Sequence, residues 1–85
     1  MHFYNVGGQL VRRWVPAQRR RAMEVWKGDG WAPYADVDNV LRHGHRLIET
    51  QALAVLHDAR GRLGHLAPFS DEEGRAILRA RLRRA

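Results

Sequence analysis

Apolar and polar positions along this chain fall into two regimes. Up to about residue 35 the apolar side chains come in short runs broken by glycine and proline, whereas from Asp36 onward they recur every three or four residues. In Asn5-Val6-Gly7-Gly8-Gln9-Leu10 the adjacent glycines can supply the positive φ angles of a two-residue hairpin turn. That turn would join Phe3-Tyr4-Asn5-Val6 to Leu10-Val11-Arg12-Arg13-Trp14-Val15. Pro16 cannot donate to a ladder and ends the second strand, so Ala17-Gln18-Arg19-Arg20-Arg21 reads as a polar connection. A second hairpin follows: Met23-Glu24-Val25-Trp26-Lys27 alternates, Gly28-Asp29-Gly30 is turn chemistry, and Trp31-Ala32-Pro33-Tyr34 makes a short edge strand limited by its proline.

In the second regime Val37, Val40, Leu41, Gly44, Ile48, Ala52, Val55, Leu56 and Ala59 share one helical face. The spacing predicts a core helix over 36–60. Gly44 costs about 1 kcal/mol inside a helix, so a shorter helix over 36–43, a break, and a second helix over 49–60 is the alternative. Gly61, Gly64 and Pro68 mark a loop, and Ser70-Asp71-Glu72-Glu73 has the form of a capping box that opens a last helix over 71–84. Phe69 precedes that cap in the position of a hydrophobic staple, although its partner position is Gly74. The expected fold is α+β: one domain over 1–85, with a small antiparallel sheet of three or four strands (two hairpins, residues 2–35) packed against two C-terminal helices in a helical half over 36–85.

Composition narrows the class without naming a function. With 45% hydrophobic and 28% charged residues the chain is neither a disordered tail nor a membrane span, and no apolar stretch approaches the roughly 18 residues that a membrane helix needs. There is no cysteine, which removes disulfides, thiolate nucleophiles and cysteine-ligated zinc, and which favours a reducing, cytoplasmic setting. Lys27 is the only lysine beside 14 arginines, and the formal charge is +6. So basic a chain makes nucleic acid a natural suspect. The near-total choice of arginine over lysine, however, looks like codon bias in a GC-rich genome.

Candidate chemistry is sparse. His43 and His45 point about 200° apart on a helix, so they could share an ion only if Gly44 breaks it, and no metal site is expected. Ser70 is the one serine and is explained as a cap rather than a nucleophile. The glycine pairs lack the strand, loop and lysine of a phosphate-binding motif, and the acids are scattered. No catalytic residue and no cofactor is expected.

Aromatic and basic residues are the remaining interface material. Trp14, Trp26, Trp31 and Tyr34 lie in the β half, where Trp26 and Trp31 flank one turn as a prospective cross-strand pair. Three tryptophans exceed what one face of so small a sheet needs, so an exposed one would be a contact anchor. The basic candidates for nucleic acid are Arg12, Arg13, Arg19, Arg20, Arg21, Arg42, Arg46, Arg79, Arg83 and Arg84. The function expected is that of a small non-catalytic accessory or adaptor protein acting through protein contact, with a homodimer as one form of it. Sequence-independent binding of RNA or DNA through the arginines is the alternative.

Overall fold

A computed structural model describes residues 1–14 and 23–80. Gly7 (φ +58°) and Gly8 (φ +88°) take the paired positive φ angles of a type I′ turn, and the Asn5 side-chain oxygen accepts the Gly8 amide at 2.8 Å. The turn joins β1 (His2–Val6) to β2 (Gln9–Arg13) in antiparallel register, with Val6 opposite Gln9. The second hairpin pairs β3 (Met23–Trp26) with β4 (Trp31–Pro33), and the Lys27 amide donates to the Gly30 carbonyl at 2.8 Å. Pro33 closes β4, which is an edge.

The apolar stripe over 36–60 is not one helix. It divides into α1 (Val37–His43), β5 (Gly44–Leu47) and α2 (Glu49–Leu63), after which α3 (Asp71–Arg79) completes the element order. Gly44 is the reason for the division. A Cβ there would fall on the Val40 carbonyl oxygen, the oxygen that the Gly44 amide caps as the backbone turns from helix to strand (ψ 131°). The break alone does not make a strand, because nothing in Gly44-His45-Arg46-Leu47 has marked strand propensity. The strand forms because β1 has a second edge to satisfy, and β5 pairs with it antiparallel, setting Phe3 opposite Leu47 and Tyr4 opposite Arg46.

The fold is therefore α+β with a five-stranded antiparallel sheet in the order β4-β3-β2-β1-β5 and three helices among the described residues. This corrects the expectation of three or four strands and two helices. The sheet is also buried on both faces. On one face Phe3, Leu10 and Trp26 pack beneath α2 and α3 against Ala52, Leu53, Leu56 and Leu78. On the other, Val6, Val11, Met23 and Val25 pack against Val40 of α1, with Tyr4, Ala32 and Tyr34 at the margin.

Ser70 caps α3 as its sequence indicates: the Glu73 amide donates to the Ser70 hydroxyl at 3.1 Å, and the Ser70 amide donates to the Glu73 carboxylate at 3.2 Å. Phe69 finds no partner in Gly74 and packs instead on the core, 6.4 Å from the Trp26 ring and 5.1 Å from the His57 ring.

The ladder also determines what the β5 edge can offer. A two-residue turn makes Val6 and Gln9 its closing hydrogen-bonded pair. Alternation then directs the amides of Phe3 and Asn5 toward His45 and Leu47, leaving Gly44, Arg46 and Ile48 with their amides outward. Gly44 N–H is taken by Val40, and Ile48 N–H donates to the Gln51 side chain at 3.0 Å. Little beyond the backbone of Arg46 remains for a further strand, so the edge is short, charged and closed at both ends.

Gly44→Ala should destabilise the protein by about 1–3 kcal/mol, because its methyl group meets backbone rather than a side chain that can swing away. Urea unfolding of the variant beside wild type checks this. An unchanged midpoint would show that a break other than Gly44 shapes the α1–β5 junction.

Candidate contact surface

The tryptophans are organised by a buried charge. Arg12, 0% exposed, stands on the α2–α3 face of β2 directly opposite Glu24 of β3. Its Nε donates to Glu24 Oε1 at 2.8 Å, and Nη2 lies 2.8 Å from the same oxygen as an ion contact. Nη1 donates to the carbonyls of Ile77 (3.2 Å) and Leu78 (2.9 Å) in the last turn of α3, where a cation also complements the helix dipole. The guanidinium carbon lies 4.0 Å from the ring centre of Trp31 and 5.0 Å from that of Trp14. Burial pushes the Arg12 guanidinium down from its ordinary range, against the opposing pull of Glu24.

Each tryptophan has work in this arrangement. Trp14 Nε1 donates to Glu24 Oε1 at 2.9 Å, and Trp31 Nε1 donates to the Ile77 carbonyl at 3.0 Å. Trp26 and Trp31 are cross-strand partners with ring centres 5.2 Å apart and planes tilted by 59°. Trp26 is buried, so it is a core residue and not a surface anchor. Trp14 and Trp31 are half-buried around Arg12, and Tyr34 is half-buried with its hydroxyl accepting from the Asn39 side chain at 2.8 Å. The tryptophan excess is thus a feature of the packing around a buried arginine.

The arginines divide likewise. Arg12 is sealed from any phosphate. Arg79, exposed, pairs with Glu49 at 2.9 Å and ties α3 to the start of α2. Arg13 is half-buried, and Arg42 and Arg46 are exposed; none of the three has an ion pair among the described residues. Arg19, Arg20, Arg21, Arg83 and Arg84 lie outside the described residues, as does Val15 of the expected second strand. Nine basic and nine acidic residues balance within 1–14 and 23–80. The formal +6 therefore belongs to Arg19, Arg20, Arg21, Arg81, Arg83 and Arg84.

Cross-strand pairing gathers the free bases on the α1 face. His2 faces Arg13 across the ladder, and Arg46 stands diagonally opposite on β5. Desolvation, followed by the positive charges of Arg46, the amino terminus and Arg13, holds the His2 imidazole below the ordinary histidine range. At the other end of β1, the break at Gly44 brings His43 and His45 to the wall of one open groove with Asn5, Gln9 and Asn39. Among the described residues no group of three His, Cys, Asp or Glu side chains is placed to hold a metal ion.

What the surface does offer is apolar and local. Among the described residues the exposed large apolar side chains are Val37 (48%), Leu41 (71%) and Ile48 (66%), all within the stretch from α1 to the residue after β5. The sequence reading assigns all three to the core stripe. Once Gly44 divides the stripe, only Val40 of α1 reaches the sheet, and its neighbours have no helix to face. Their signal was the conflict between a continuous stripe and an interior glycine. Among the described residues no helix is long and apolar enough to cross a membrane.

Arg12→Met should cost about 3–5 kcal/mol, because it leaves Glu24 buried without its cation and frees the α3 carbonyls. The double variant Arg12→Met, Glu24→Leu should recover part of that loss. Chemical unfolding of both checks it, and a double variant no better than the single one would show that the α3 carbonyl contacts outweigh the ion pair.

No protein-family model, curated protein or solved structure matches this chain, so its surface has to be read from its own geometry.

Proposed function

We propose that the protein is a small non-catalytic accessory or adaptor protein that works by protein contact, through the α1 side of its sheet, in a reducing cytoplasmic setting. One observation carries this reading: the exposed large apolar side chains of the described residues are concentrated at Val37, Leu41 and Ile48 rather than scattered. Scattered exposed apolar residues are ordinary, whereas a contiguous group flanked by polar residues is the usual form of a contact site. Arg42 and Arg46, free of ion pairs among the described residues, supply the polar rim. The lack of cysteine fits the reducing setting.

The surface has a direct test. Recovery of partner protein on the immobilised chain from its native lysate should survive nuclease and fall about tenfold for Leu41→Asp, the loss of one apolar anchor. The melting temperature of the variant should be unchanged, since Leu41 is largely exposed. Recovery that disappears on nuclease treatment would overturn the reading.

A second reading, sequence-independent binding of RNA or DNA, is favoured by the convergence of His2, Arg13 and Arg46 on one face, together with the arginines at 19–21 and 81–84. It requires affinity for a random oligonucleotide to fall steeply between about 50 and 200 mM salt, through counterion release. It also requires tightening as pH falls through the depressed His2 titration, since the added positive charge favours phosphate. Fluorescence anisotropy against salt and pH measures both. Weak, salt-insensitive binding would remove this reading.

A further inference from the structure

The exposed side of α1 carries more than apolar atoms. Val37 and Leu41 stand one turn apart, and beside them Asp38 and Arg42 repeat the same four-residue step. All four are exposed, and Asp38 and Arg42 make no ion pair with each other or with any described residue. The helix thus has an acid near its start, a base near its end, and an apolar row alongside. Such a surface is complementary to itself under a two-fold rotation. An axis crossing α1 near its middle lays two copies antiparallel, which places Asp38 of each helix by Arg42 of the other and brings the two Leu41 side chains together.

We propose that a second copy of this chain covers the α1 face, giving a two-fold dimer held by Val37, Leu41 and Ile48 and set in register by reciprocal Asp38–Arg42 pairs. This rests on the reading of that face as the contact surface and names its partner. Three arguments favour a second copy over a foreign protein. The unpaired charges complement one another within this single helix, so no outside partner is needed to neutralise them. An isologous contact uses each apolar side chain twice, which suits a patch of only three. Strand alternation also places Ile48 on the α1 side of the sheet, where it extends the apolar row instead of facing away from it. The edge of β5 is not the route, because Gly44 and Ile48 have spent their outward amides. With so small a patch the interface belongs to the weak, exchanging class.

Sedimentation velocity and light scattering across concentrations on the order of 10–500 µM should show a reversible monomer–dimer equilibrium for the full chain, as expected of a small interface. Leu41→Asp should abolish it without moving the thermal melt. Asp38→Arg and Arg42→Asp should each weaken association about tenfold or more, since each alone brings like charges together across the axis. An equimolar mixture of these two single variants should dimerise close to wild type, because position 38 of each chain then meets an opposite charge at position 42 of the other. That rescue arises only if the two helices face each other, and a merely structural role for either residue would not produce it. A chain that stays monomeric throughout, or dimerises regardless of Leu41→Asp, or whose mixed variants show no rescue, overturns the proposal. The contact-surface reading is judged separately by lysate capture: a monomeric protein whose capture is lost with Leu41→Asp would sink self-association while leaving that reading in place.

Discussion

A fully buried guanidinium imposes a strict requirement on its surroundings, because removing it from water costs several kcal/mol unless a counter-charge and acceptors replace the lost solvation. Arg12 meets that requirement with one carboxylate, two carbonyls and two indole rings. These come from β3, from the last turn of α3, and from Trp14 and Trp31 at the ends of two strands. The positions of β3, β4 and α3 on β2 therefore depend on one side chain. α3 has only nine residues, short for an autonomous helix, and is held at its start by the Ser70 cap and at its end by Arg12.

Burying the sheet on both faces has a cost in surface design. A small chain must cover two faces with few residues, and it does so by dividing what would have been one long helix. α2 goes to the Arg12 face, while α1 crosses to the other and lies over β1 and β5. A seven-residue helix lying on a sheet can bury only one of its apolar side chains, here Val40, and Val37 and Leu41 are left exposed. The contact surface is thus a direct consequence of how the second face is covered, and it sits beside an edge strand whose pairing capacity is already spent.

The charge distribution separates the roles further. Within the described body, acids and bases balance, and most buried or half-buried arginines serve carbonyls or rings: Arg60 donates to Ala67 and Gly28 and lies over Phe69. Arginine suits this use because its planar fork can satisfy two carbonyls and stack on a ring together, which a lysine ammonium cannot. An arginine-rich composition is therefore compatible with a protein whose bases mostly hold it together.

Where local chemistry decides conformation, the sequence alone was sufficient. Two adjacent glycines demanded the first hairpin, Gly28-Asp29-Gly30 the second, Pro33 a short edge strand, and Ser70 with Glu73 the start of α3. The pairing of Trp26 with Trp31 followed from the second turn. Tertiary structure decided the rest, for identifiable reasons. Gly44-His45-Arg46-Leu47 has little strand preference of its own and became β5 because β1 had an unpaired side, a need visible only once the sheet exists. Arg12 and Arg13 are adjacent and alike in sequence, yet alternation buries one beneath α3 and leaves the other half-exposed. Which of the two went inward depended on Glu24 standing opposite Arg12 and on the carbonyls of a helix 65 residues away. Val37 and Leu41 have the spacing of core residues, and only the transfer of α1 to the opposite face, away from α2 and α3, made them surface.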